Sequence, residues 1–164
     1  MGRVMLTTLD HPMKTYPAFD PGVTTGYAIF REDGEILKLG QLSFDELCRF
    51  LDLDDELLAS PIKVICEDYK IFRKKAKAHI GSRVPTVAAI GVIRAYALKK
   101  KAEVILQPSN IMQTASLWTG IPHPDSMEHS GSHKYAAALH GSFYLIKEGI
   151  LQTKLEKEHG TPKA

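Results

Sequence analysis

Asp20 closes the apolar run in YPAFDPGVTTGYAIF (16–30), and Glu67 and Asp68 close another in IKVICEDY (62–69). Short runs rich in β-branched and aromatic residues read as buried strands. In an open α/β sheet, ligands gather outside the carboxyl ends of the strands. Each carboxylate is therefore predicted at the edge where chemistry is done. If the two strands are neighbours, Asp20 and Glu67 converge. Buried like charges repel strongly, so one must hold a proton or a cation must sit between them. Carboxylates and water suit Mg²⁺ or Mn²⁺. The competing reading is a turn, since Asp before Pro-Gly readily caps its own turn. Asp68 follows Glu67 directly, so on a regular strand it points to the other face.

The elements that would position these groups are legible along the chain. Its 164 residues, 44% apolar and 24% charged, fit one globular domain with a real core. Strands are predicted at 14–19, 26–30, 35–44, 62–69 and 102–108, with Pro17 arguing for an irregular or edge-like start to the first. Asp33-Gly34 marks a hairpin. Helices are predicted over 43–60, where Ser43 and Glu46 form a capping box, over 85–101 behind Pro85, from Ser109, and over 133–149. Strand–helix alternation after an initial meander predicts an α/β fold, a mixed sheet with helices on its faces. Helix 85–101 is apolar on both sides, with Val84, Val87, Ala88, Gly91, Val92, Ala95 and Tyr96 on one stripe and Ala89, Ile90 and Ile93 opposite. It is expected to make contacts on both.

Cys48 and Cys66 form neither a disulfide framework nor a metal-type spacing, and no apolar run is long enough to span a bilayer. The start, MGRVMLTTLDHPMK, lacks the apolar segment of a signal peptide. A cytoplasmic location is the expectation. The net charge of +2 is unevenly spread: ten Lys or Arg and no Asp or Glu fall between Tyr69 and Ala102. Lys70, Arg73, Lys74, Lys75, Lys77 and Arg83 follow the Glu67 strand directly, and such a one-sided field attracts a polyanion. Phe72 among them could stack at an opened base pair or fold back into the core.

Three segments in order carry a family resemblance. FDPGVTTGYAIF resembles the first motif of RuvC-type Holliday junction resolvases in the RNase H-like superfamily, VICEDY the second, and SHKYAAALHGSFYLI the final helix, especially that of the phage branch. The resemblance implies an RNase H-like mixed five-stranded sheet flanked by helices. Residues 1–13 would be an N-terminal arm, 14–149 the nuclease domain and 150–164 a flexible tail. It implies a homodimer through helix 85–101 and a host bacterial cytoplasm for a phage protein. The implied activity is cleavage of four-way junctions or other branched DNA by paired nicks, leaving 5′-phosphate and 3′-hydroxyl ends. The cofactor would be Mg²⁺ or Mn²⁺, two ions per site.

Carried over residue by residue, Asp20 and Glu67 would be metal ligands, with Asp20 bridging, and His133 would assist a metal or orient water. Lys70, Arg73, Lys74, Lys75, Lys77 and Arg83 would hold DNA. The family places an Asp three residues after this histidine, on the same helical face. Here that position is Ala136. Either Ala136 is a substitution that inactivates an ordinary member, or the chain draws on Asp125, Glu128 or His129 from the preceding loop. A catalytically silent binder of branched DNA is the alternative function. DPGVTTG also resembles the phosphate loop of the actin and sugar-kinase superfamily, whose members clamp a nucleotide between two such domains.

Overall fold

A computed structural model of the chain describes residues 12–53, 55–70, 84–126 and 132–159. Strands β1 (Lys14–Asp20), β2 (Thr24–Arg31) and β3 (Ile36–Ser43) form the antiparallel meander. Gly34 takes a φ of 91° in the β2–β3 turn, which a side chain would resist. The expected capping box starts helix α1 (Phe44–Asp52), with Ser43 and Glu46 each bonding the other's backbone N–H. The expected single helix over 43–60 is divided. The Asp55 carboxylate accepts from the Leu57 N–H at 2.9 Å and caps a separate turn, α2 (Glu56–Ala59).

A two-residue strand β4 (Ser60–Pro61) and strand β5 (Lys63–Glu67) follow. After them come helix α3 (Pro85–Lys99), strand β6 (Glu103–Gln107) and helix α4 (Met112–Thr119). The long helix α5 (Ser132–Lys147) is next. The span expected as a tail carries a short helix, α6 (Lys154–His159). The five expected strands run in the order β3-β2-β1-β5-β6, and β4 adds a sixth by pairing with β1. Among the described residues no helix is long and apolar enough to cross a membrane.

Pro17 sits in the central strand, not at an edge. On that side β1 pairs first with β4, at Thr15↔Pro61, and then with β5, at Ala18↔Ile65. Pro17, which has no N–H to donate, falls between the two ladders.

Strand alternation sorts the core into two layers. Phe19, Tyr27, Ile29, Val64 and Cys66 pack under α1 and α3 with Leu47, Phe50, Ala89 and Ile93. Ala18, Ala28, Phe30 and Ile65 pack under α5 with Ala137, Ala138 and Leu145. Asp20 and Glu67 share the parity of Ala18 and Ile65, so both side chains face α5. That helix lies close on the sheet. A methyl at Gly26 would overlap the His133 carbonyl, and one at Gly141 would overlap the Phe30 ring.

The α3 face that meets the core is Ala89, Ile93, Tyr96 and Ala97. The opposite stripe is open: Val87 is 51% and Leu98 79% exposed, and a methyl at Gly91 would meet nothing within 4 Å. Among the described residues, only one of the two apolar faces is covered.

Candidate active site

Parallel pairing of β1 and β5, through Phe19↔Cys66, sets Asp20 beside Glu67 at the carboxyl edge of the sheet. Asp20 is 7% exposed, and its carboxyl and that of Glu67 act directly on one another, Glu67 pushing Asp20 up and Asp20 holding Glu67 down. Two carboxylates so placed repel once both are ionised, unless a cation sits between them. From α5, His133 brings Nδ1 to 2.6 Å from Asp20 Oδ2. The His133 backbone N–H donates to Gln41 Oε1 of β3 at 3.1 Å, which satisfies one free amide at the start of the helix.

Two turns further along α5, His140 is fully buried. Its Nε2 lies 3.2 Å from Glu67 Oε2 and its Nδ1 3.0 Å from Gln107 Oε1 at the end of β6. The polar side chains run in a row: His133, Asp20, Glu67, His140, Gln107. Asp20 is engaged by side chains of a site, and its expectation as a turn cap gives way to that arrangement.

The charges follow from this packing. Burial pushes the Asp20 carboxyl up from 3.8 to about 6, against the His133 hydrogen bond and with help from the neighbouring Glu67. Burial also works to raise Glu67, but the His140 hydrogen bond and the neighbouring Asp20 outweigh it and hold Glu67 below the usual carboxylate range. Its bond to Asp20 raises His133 above 6.5, against partial burial. At neutral pH two carboxylates thus stand side by side with an imidazole on each flank. Among the described residues, no three His, Cys, Asp or Glu side chains gather around one point. The donor chemistry nonetheless fits a divalent cation, because the adjacent carboxylates repel and the flanking partners are imidazoles, not fixed cations.

The other expected site residues are placed less directly. Ala136 lies between the two histidines on their helical stripe, 3% exposed and packed with Met112, Ala115 and Leu139. Asp125 is exposed beside His123 and takes no part. Lys70 is exposed, 3.8 Å from Asp68, and so stands just past Glu67. Arg73, Lys74, Lys75, Lys77 and Arg83, with Phe72, Glu128 and His129, lie outside the described residues. The sequence reading missed His140, Gln107 and Gln41. The spacing of 133, 136 and 140 on one helical stripe was the available signal for His140, and a Gln closing an apolar strand was the signal for Gln107.

Two solved structures share this arrangement of strands and helices. Over 85% of this chain and 99% of theirs, the TM-score is 0.55 at 11% identity for Thermus thermophilus RuvC in complex with Holliday junction substrate. It is 0.51 at 14% identity for a Thermus thermophilus RuvC structure, with the same coverage. The chain has the fold of RuvC. The expected mixed sheet flanked by helices is thereby met, with β4 as an added strand, and nearly the whole RuvC chain is spanned. No protein-family model and no curated protein matches the sequence.

Proposed function

We propose that this chain is a divalent-metal-dependent endodeoxyribonuclease acting on branched DNA, four-way junctions first, with flaps and replication forks close behind. The observation that carries the reading is the Asp20–Glu67 pair at adjacent strand tips of a RuvC fold, flanked by His133. Asp20 and Glu67 would hold the cation, and His133 would orient Asp20 or the attacking water. Bound there, Mg²⁺ or Mn²⁺ would supply Lewis acidity toward the phosphodiester and an activated water. Lys70 and the basic residues up to Arg83 would track the DNA backbone, each neutralised phosphate adding about 0.9 to the log–log salt slope on duplex DNA. Recognition would rest on phosphates and shape.

A dimer completes the proposal, because a four-way junction has approximate two-fold symmetry and needs two nicks. The open stripe of α3 supports it, with Val87, Gly91 and Leu98 uncovered around one exposed charge, Arg94. Leu98→Asp is expected to turn a dimer into a monomer in sedimentation experiments while leaving the helical circular-dichroism signal unchanged. A wild-type monomer at micromolar concentration would remove the dimer from the account.

Ala136 gives the silent-binder reading its support, since apolar packing occupies the position of the expected third carboxylate. The two readings separate in one assay. Cutting of a synthetic four-way junction in Mn²⁺ is expected to be slow for the chain as it stands and faster by about tenfold or more for Ala136→Asp. Binding of the junction in EDTA, with no cutting by either protein, would establish the silent binder instead.

A further inference from the structure

His140 has no assigned role, yet it is among the most constrained polar residues of the fold. It is fully buried in a helix segment otherwise made of Ala136, Ala137, Ala138, Leu139 and Gly141. The apolar surroundings suit a Leu, whereas a buried imidazole costs stability unless its polar atoms are satisfied. Both ring nitrogens are met, one by Glu67 and one by Gln107. Those partners are direct neighbours across the β5–β6 ladder, where Glu67 pairs with Gln107, so two strand tips grip one ring.

We propose that His140 is a positioning residue for the metal site, acting through Glu67. Its Nε2–H donates to Glu67 Oε2 and restrains rotation of the carboxylate, so that the group offers its remaining lone pairs on the side of Asp20. Gln107 fixes the plane of the ring from behind, as outer partners do for groups around bound metals. Helix α5 then serves the site twice, with His133 on Asp20 and His140 on Glu67, two turns apart and either side of Ala136. The second imidazole steadies Glu67 in a chain whose position 136 offers no carboxylate. The inference rests on reading the Asp20–Glu67 pair as a cation site.

The test is the Mn²⁺ dissociation constant, read from the electron paramagnetic resonance of free Mn²⁺, with junction binding in EDTA as the control. His140→Leu is expected to weaken Mn²⁺ binding by about 10–100-fold. His140→Gln, which keeps an N–H donor at that reach, is expected to recover most of the loss, and neither changes junction binding in EDTA. A folded His140→Leu protein within about twofold of the wild type overturns the inference. So does a His140→Gln protein as weak as His140→Leu, because the ring would then matter only for packing. If His140→Leu does not fold, Gln107→Met decides. It leaves the ring and Glu67 in place and is expected to weaken Mn²⁺ about threefold to tenfold, and an unchanged constant overturns the inference. Failure of the cation reading looks different: the wild type itself then shows no Mn²⁺ binding that Asp20→Asn removes.

Discussion

Gly26→Ala is expected to lower the melting temperature sharply and to separate His133 from Asp20. The new methyl would overlap the carbonyl and backbone of His133, and backbone cannot rotate away as a flexible side chain can. Either β2 or the start of α5 must move. Overpacking of this kind costs about 3 kcal/mol or more, which for a domain of this size is about 6–12 °C in melting temperature. The displaced turn of α5 carries the Gln41 cap and the His133–Asp20 contact, so metal binding should weaken along with stability. Gly91→Ala, made in the monomeric Leu98→Asp background so that no partner helix can meet the methyl, is the internal control. It lies in the interior of α3 with open space around it, and the change is expected to add up to about 1 kcal/mol. A Gly26→Ala protein that melts with the wild type would mean that α5 does not press on β2 as described.

Asp20→Asn is expected to remove function and, in EDTA, to stabilise the fold. The folded state raises Asp20 from 3.8 to about 6, so between those values the native protein holds a proton that the unfolded chain has released. Stability is therefore greatest below the lower value and is lost as pH rises through the upper one. A shift of about two units corresponds to about 3 kcal/mol. The raised His133 acts in the same direction above 6.5, since the native state again holds the extra proton. The lowered Glu67 acts oppositely, contributing stability that is lost as pH falls below 4.5. Metal-free wild type should thus melt higher at pH 5 than at pH 7. Asn carries no charge to repel Glu67, so the variant should show a flatter profile and a gain of about 1–3 kcal/mol at pH 7, part of the gain being offset by the lost ion pair with His133. Thermal melts across this range in EDTA decide it. A flat wild-type profile, or an Asp20→Asn protein less stable at pH 7, would mean that the carboxylates do not strain one another.

Much of this site is legible in the sequence. Asp20 and Glu67 each closed an apolar run, and strand alternation together with the neighbouring of β1 and β5 was enough to bring them together. Gly26 was visible within DPGVTTG, but its reason was not, because the chain segment it admits lies more than 100 residues away. His140 was hidden by its surroundings: a lone histidine on an Ala-rich helix reads as core, and its partners come from the tips of two other strands. Pro17 misled for a related reason. Its edge-like signature is local, whereas the gap that accommodates it arises from how β4 and β5 share one side of β1. The break between α1 and α2 followed from a side-chain cap at Asp55, which a continuous run of helix-forming residues concealed.

The central claim is that Asp20 and Glu67 share one cation, and calorimetric titration of Mn²⁺ into wild type, Asp20→Asn, Glu67→Gln and the double variant tests it most directly. The account predicts saturable binding by the wild type, strong loss in each single variant, and no further loss in the double, because both carboxylates serve the same ion. Undiminished Mn²⁺ binding in the folded single variants, or losses that simply add, would contradict it.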